Sequence, residues 1–403
     1  MDFVIDFLNV GSADAITVWI KDNGKDCVLF IDGGKTDDGK VVINHYNSFI
    51  APHVKNPLLI AINSHPHADH INGLVEVVEH FKSEIRFAIY NDPIKYISPS
   101  RKAEIEKYYK ENKDPDINHL YDLFDKVEQL NTMCVKYGIS KLNASSNLNN
   151  NYGNLFKIFS PSEEYYTEKV NFFTDVNVLL KEDYTKKPDG DVNEIFEGLI
   201  PCKVVDEKND VSPENLTSTV IQLTDSNNHN YLLTADAGVD SFESAEKNGF
   251  KFENYLLVQL PHHGSRRNVN TNWLSKFNPN FYVASADGSK KHPRKAVISC
   301  IKKNLQTCKV YSTHTCEGNY FIFQRAWYKA RQHASTCVYI NHSCIHRPRT
   351  LLIVAWSLVV GTTSIHRYLR SNQLLISLCP YGWCRSLCCS PTLFTTCSAS
   401  IRL

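Results

Sequence analysis

The amino-acid sequence predicts an α/β fold on three grounds. The opening segments Asp2–Leu8, Ala15–Ile20 and Asp26–Ile31 are rich in β-branched and aromatic residues and are separated by turn-forming stretches, as expected of adjacent strands. Leu58–Ile62 is a continuous apolar run, the pattern of a strand covered on both faces. After a short His-rich stretch come apolar residues at helical spacing, Leu74, Val75, Val78 and Phe81, which predict a helix over Ile71–Lys82. Strand, loop and helix in that order is the unit from which α/β proteins are built.

The remaining elements follow in chain order. Gly11–Asp14 reads as a turn, Asp22–Lys25 as a hairpin connection, and the third strand ends at Asp32-Gly33-Gly34. Ser100–Tyr137 is charged and helical in pattern, with apolar positions at Ile105, Tyr108, Tyr109, Leu120, Leu123, Phe124 and Val127. Pro115 removes a backbone donor there and predicts two helices rather than one. Residues 143–155 are rich in Asn and Ser and read as a loop, whereas 182–213 are acidic and irregular and read as an insertion or flap. Thr219–Leu223 and Tyr231–Thr234 form a predicted hairpin around Asn227 and Asn228. Leu256–Leu260 and Phe281–Ala284 are further buried strands, and Val310–Ser312 with Tyr320–Phe323 are expected to close the fold as a pair.

Charge divides the 403-residue chain sharply. Residues 1–324 carry 35 Lys+Arg against all 43 Asp+Glu, whereas 325–403 carry 9 Lys+Arg and no acid, with 7 of the 13 cysteines. The boundary predicts a folded domain over 1–323, with insertions at about 98–150 and 182–213, and an atypical basic, Cys-rich tail over 324–403. Such a tail resembles the product of a shifted reading frame more than the end of an acidic, Lys-rich domain. The start, MDFVIDFLNV, has two acids and no basic stretch, which predicts no secretory leader. Cys27, Cys134, Cys202, Cys300, Cys308 and Cys316 show no paired spacing, which favours reduced thiols and a cytoplasmic setting. The longest apolar run, Leu351–Gly361, is shorter than the roughly 20 residues a membrane span needs, so no transmembrane anchor is expected.

The chemistry concentrates in Ser64–Leu74, SHPHADHINGL, where His65, His67, Asp69 and His70 fall within six residues. Burying such groups is costly unless something pairs with them. Imidazole and carboxylate together suit Zn²⁺ or Mn²⁺. His65 and His67, at i and i+2, share one side, while Asp69 and His70 lie past the turn and can serve a second ion. Three later stations add candidates. LLTADAG (Leu232–Gly238) ends a strand at Asp236, which is placed either to bridge two ions or to cap the next helix. QLPHHGSRRN (Gln259–Asn268) offers His262 and His263, one as a ligand and the other nearby, with Ser265, Arg266 and Arg267 as candidate phosphate contacts. GSKKHPRKAV (Gly288–Val297) places His292 just before Pro293 and a predicted helix.

In this order the stations resemble the metallo-β-lactamase superfamily, and more narrowly the nuclease domain of ComEC-like DNA-uptake competence proteins. The residues that carry the resemblance are FLNVGSADA (Phe7–Ala15), FIDGG (Phe30–Gly34), SHPHADHINGL, ENLTSTVIQL (Glu214–Leu223), LLTADAG, LPHHGS and the Lys291-His292-Pro293 region. The resemblance spans about residues 3–323. It implies an αββα sandwich, here with helical and loop insertions, and metal-activated hydrolysis at one edge of two sheets. It implies two divalent ions: His65 and His67 in one site, Asp69 and His70 in the second, Asp236 between them, and His262 or His263 completing the second. Asp32 is implied as the support of a ligand histidine. The superfamily usually has one more metal-binding histidine between the HxHxDH run and the bridging Asp; the matching segment here offers Asn215, Thr217 and Ser218, with Asn215 and Ser218 as supporting groups. Occupancy at Asp69–His70 is therefore expected to be firmer than at His65–His67, with one ion held more tightly than the other.

The expected function is metal-dependent hydrolysis, first of phosphodiesters including nucleic acid. Asp69 would orient the water, Arg266 would offset phosphoryl charge and His292 would serve as general acid. The alternatives are hydrolysis of small lactone, thioester or acyl substrates on the same fold, and a non-catalytic metal-binding partner module.

Overall fold

Strands whose two faces are both apolar must be covered on both sides, and the fold does this with four layers. The computed structural model describes residues 2–100, 103, 107, 115–146, 152–173, 199–207, 211–286, 292–313 and 321–322. The predicted tail, most of the helix before Pro115, most of 182–213, Lys290, Lys291 and Cys316 lie outside the described residues.

Strands β1 (Asp2–Phe7), β2 (Ile16–Asp22) and β3 (Lys25–Ile31) pair antiparallel, and β4 (Leu58–Ile62), β5 (Ile85–Ile89) and β6 (Ser140–Leu142) follow β3 in parallel. β7 (Lys157–Ser160), β8 (Val220–Thr224) and β9 (Asn230–Leu233) are antiparallel, and β10 (Tyr255–Gln259), β11 (Phe281–Ala284) and β12 (Lys309–Ser312) extend that second sheet in parallel. β13 (Phe321–Ile322) pairs with β1. Among the described residues the sheet orders are β13-β1-β2-β3-β4-β5-β6 and β12-β11-β10-β9-β8-β7.

Side-chain alternation along each strand builds the layers. In β3 and β4, Leu29, Ile31, Ile60 and Ile62 point to a core shared with Ile221, Leu233, Leu257 and Val283 of the other sheet. The intervening Val28, Phe30 and Ala61 pack outward on helices α1 (Gly39–His45), α2 (Ala68–Phe81) and α3 (Pro115–Tyr137) through Val42, Leu74, Val77, Phe81 and Leu130. On the far side, Leu232, Val258, Tyr282 and Val310 meet α4 (Pro201–Val205), α5 (Val239–Lys247), α6 (Thr271–Phe277) and α7 (Lys295–Asn304) through Val204, Phe242, Trp273 and Ile298. Helix, sheet, sheet, helix is the αββα arrangement that the resemblance implies.

Two expectations are corrected. The segments expected to close the fold as a pair belong to different sheets: β12 runs parallel to β11, and β13 joins β1. Both are short apolar stretches, and alternation alone does not specify a partner. Cys202 on α4 and Cys300 on α7 form a disulfide, with Cα atoms 4.8 Å apart across 98 residues of chain. Spacing could not reveal it, because only the docking of α4 on α7 brings the two together. The cytoplasmic reading, which rested on reduced thiols, loses that support. Cys27, Cys134 and Cys308 are buried free thiols, and burial pushes Cys27 and Cys308 up to about 12. No helix among the described residues is long and apolar enough to cross a membrane.

Candidate metal centre

The site is built where the C-terminal ends of β3, β4, β9 and β10 meet. Its first half depends on how closely α2 docks against the end of β3. Gly33 N donates to His70 O (2.9 Å), Gly73 N to Gly34 O (3.0 Å), Asp14 N to Asp69 O (3.2 Å) and Gly34 N to Asp14 O (2.7 Å). The approach leaves no room for side chains: a Cβ on Gly73 would stand 1.8 Å from Gly33 O. His67 is the extended residue before the helix, so Asp69 and His70 lie in its first turn. There the unpaired N–H groups and the helix dipole favour a carboxylate.

Asp32 organises the histidines. In a left-handed conformation at the end of β3 (φ +54°), it accepts from Ser64 N (2.8 Å) and Asn63 Nδ2 (3.1 Å) on Oδ1, and from Ser64 Oγ (2.5 Å) and His70 Nδ1 (2.8 Å) on Oδ2. Ser64 Oγ, its proton committed to Asp32, accepts from His65 Nδ1 at 3.0 Å. This network assigns the Nδ1–H tautomer to both His65 and His70 and leaves their Nε2 atoms facing the centre. His67 Nδ1 lies 3.0 Å from His65 Nε2.

The second sheet supplies Asp236 from the loop after β9 and His262 and His263 from the turn after β10. Asp236 is buried, with His70 Nε2 3.4 Å and His263 Nε2 3.8 Å from Oδ1, and His262 Nε2 3.5 Å and His65 Nε2 3.8 Å from Oδ2. His263 Nε2 also lies 3.5 Å from Asp69 Oδ2. Gln259 joins the halves: its Nε2 donates to both oxygens of Asp14 at 2.9 Å, while its Oε1 accepts from Thr234 N and Ala235 N at 3.0 and 3.1 Å.

The electrostatics follow from this crowding. Burial alone would raise the Asp69 carboxyl, but His70 and His263 hold it well below the usual range. Burial would likewise raise Asp236, which His262, His70 and His263 hold well below. Burial would lower His70, but Asp236, Asp69 and Asp32 lift it well above the ordinary imidazole value. His263 is raised against burial by Asp236, Asp69 and Asp14. His65 goes the other way, lowered by burial and then by His70 and His67. Asp14 is raised by burial against the pull of His263 and His70. The carboxylates thus require positive charge, which either imidazole protons or a divalent cation can provide.

The donor set fits such a cation. His70 Nε2, His263 Nε2 and Asp236 Oδ1 are buried and have no hydrogen-bond partner among the described residues, a costly state for polar atoms. The distances of 3.4 and 3.8 Å from Asp236 Oδ1 to the two nitrogens are long for hydrogen bonds. They are close to the roughly 3.3 Å between neighbouring ligands that tetrahedral Zn–N distances of about 2.0–2.1 Å imply. Donor atoms of His65, His67 and Asp236 lie within 4.8 Å of one another, as do those of Asp69, His70 and His263.

The sequence-predicted residues His65, His67, Asp69, His70, Asp236, His262 and His263 are therefore brought together, with Asp32 behind them. Asn215 reaches the His262 ring, its Nδ2 3.3 Å from Nδ1. Ser218 is buried, with no hydrogen bond to this cluster among the described residues. His292 is buried with its ring centroid 5.2 Å from that of His262 and 6.0 Å from that of His263. Arg266 is buried, and its Nε has no hydrogen-bond partner among the described residues. The reading of Gly11–Asp14 as a plain turn missed Asp14, and Gln259 and Asn268 were also missed. Asp14 ends a Gly-Ser-Ala-Asp stretch indistinguishable by composition from a solvated turn. An Asp and a Gln 245 residues apart carry no joint signal in one sequence.

No family model matches the sequence, and no curated protein matches it. Among solved structures, the chain is similar to the hydrolase AbOPH of the beta lactamase superfamily, with 9% identity, 77% of this chain and 78% of that chain covered, and a TM-score of 0.30. It is also similar to AidC, a dizinc quorum-quenching lactonase in complex with a product N-hexnoyl-L-homoserine, with 11% identity, 78% of this chain and 80% of that chain covered, and a TM-score of 0.30.

Proposed function

We propose that the protein is a metal-dependent hydrolase of phosphodiesters, nucleic acid among them, with Zn²⁺ or Mn²⁺ as its metal. The observation that carries this reading is the ring of imidazoles around the buried Asp236, whose nitrogen and oxygen atoms lie at ligand-to-ligand separations rather than hydrogen-bond distances. His65, His67 and Asp236 would hold one ion, and Asp69, His70, His263 and Asp236 the other. A divalent pair in such a site supplies Lewis-acid activation of water and offsets charge on the phosphoryl oxygens.

The chain's own residues do the rest. The Asp69 side chain keeps solvent contact, at 31% exposure, beside the buried Asp236 and His70. It is ionised and is placed to orient an incoming water. The buried Arg266 lies two residues past the His262–Gly264 turn and carries an unspent Nε–H, a donor suited to a phosphoryl oxygen. His292, against the His262 ring, is the candidate proton donor to the leaving alkoxide.

Hydrolysis of a small lactone, thioester or acyl substrate is the second reading. It is favoured by the acidic balance of residues 1–324, 35 bases against 43 acids, since polyanion binding usually draws on a basic surface. Bis-p-nitrophenyl phosphate and single-stranded DNA, assayed beside lactones and thioesters with Zn²⁺ and Mn²⁺ each supplied, separate the two. Turnover of the phosphodiesters, abolished in a His67→Ala, Asp69→Ala double variant, is expected. Turnover of lactones or thioesters alone assigns the second reading. Full metal loading with no turnover of either class assigns a binding module.

A further inference from the structure

His262 and His263 are consecutive residues in the left-handed backbone region, at φ +48° and +57°, followed by Gly264 at φ +88°. Side-chain-bearing residues enter this region at an energetic cost, and such strain gathers where function requires a particular aim. The aim is visible at Asp236. His262 Nε2 faces Oδ2, the oxygen that His65 also approaches, whereas His263 Nε2 faces Oδ1, the oxygen of His70, and Asp69 besides. Each oxygen of one carboxylate thus meets two imidazoles, one from each sheet.

The hydrogen bonds behind His262 fix which of its nitrogens is available. Asn268 Nδ2 donates to Asp236 O at 2.8 Å and lies 3.4 Å from Ala237 O, so the amide orientation is set and Oδ1 is the atom 3.1 Å from His262 Nδ1. Nδ1 therefore carries the proton, and Nε2 presents its lone pair toward Asp236. Asn215 lies on the same nitrogen at 3.3 Å. An N–H there favours the amide turned about, and Asn215 Oδ1 has no other hydrogen-bond partner among the described residues.

The geometry points to a division of labour within the pair: His262 completes the ion position of His65, His67 and Asp236, and His263 that of Asp69, His70 and Asp236. Asn268 acts as the positioning residue for His262. The inference rests on reading the cluster as a two-ion centre. It accounts for the metal-binding histidine that the resemblance implies and that the matching segment Glu214–Leu223 does not contain. Asn215 stands at that place in the sequence and touches the ring that takes over its role.

The test loads the full chain and its variants with Zn²⁺, counts the retained metal, and follows ¹¹³Cd²⁺ in the ¹⁵N-histidine-labelled wild type. Two equivalents are expected in the wild type and one in His262→Gln, with one still present in His67→Gln/His262→Gln because both changes strike the same ion. None is expected in His67→Gln/His263→Gln. His262→Gln keeping every ion that the wild type binds, or His67→Gln/His262→Gln losing both, overturns the inference. The cadmium spectrum needs no substitution. His262 Nε2 is expected to couple to the cadmium that His65 shares, and coupling to the cadmium of His70, or none, overturns it. In the metal-free chain His262 is expected as the Nδ1–H tautomer, shifting toward Nε2–H in Asn268→Ala; no shift removes Asn268 from the proposal. A wild type that binds no divalent ion overturns the hydrolase reading too, whereas dispensability of His262 overturns this inference alone.

Discussion

Asp236 is a single buried carboxylate within 4 Å of four imidazoles, and this crowding makes the site's charge dependent on pH. His70 and His263 titrate above the ordinary imidazole value. Their contribution to stability is complete below the unfolded value of about 6.5 and is lost as pH rises through the raised values. Asp69 and Asp236 are depressed, so their contribution is present above the unfolded value of about 3.9 and is lost as pH falls through the depressed values. His65, lowered by burial, costs stability only as pH falls below about 6.5. A divalent ion needs these nitrogens deprotonated, so binding displaces protons and tightens with pH. At fixed free Zn²⁺, the metal-induced rise in Tm is expected to grow from about pH 6 to about pH 8. A rise that stays constant or shrinks over that interval contradicts the assignment. Most of these residues were legible in the sequence because His65, His67, Asp69 and His70 are packed within six positions. Asp14 was not, since its role comes from Gln259, 245 residues away.

Helix α2 is the element on which the first half of the site depends. Apolar spacing identified it but placed its start at Ile71, whereas it begins at Ala68. Periodicity sees only the face that packs on the sheet, and the first turn carries Asp69 and His70 instead. What sets that turn against the end of β3 is the contact of Gly73 with Gly33. Gly73→Ala is expected to cost about 2–3 kcal/mol through overpacking and to weaken Zn²⁺ binding, as urea denaturation and metal titration would show. Unchanged stability and affinity would mean that the close approach is not needed. The turn after β10 shows the same dependence on context. PHHGS announces histidines, but only two successive left-handed residues let both imidazoles reach Asp236.

At the scale of the molecule, two sheets share one inner core and each brings half of the candidate centre, joined through Gln259 and Asp14. The Cys202–Cys300 bond ties α4 to α7 on the outer face of the second sheet. Closing a loop of that length restricts the unfolded chain, so Cys202→Ser/Cys300→Ser is expected to lose about 2–4 kcal/mol of stability. Thermal melts of the variant and of the reduced wild type would show the loss together, and an unchanged Tm in both would exclude it. The sequence by itself determined the α/β class, the strand–loop–helix unit after Leu58–Ile62 and the inventory of histidines and carboxylates. These depend on local periodicity and on residue types grouped along the chain. Tertiary structure alone decided that β12 and β13 join different sheets, that Cys202 meets Cys300, that Asp14 faces His263, and which oxygen of Asp236 each histidine approaches. Those relations depend on how layers distant in sequence pack together, and an aim set to within an ångström by backbone conformation leaves no mark in residue spacing.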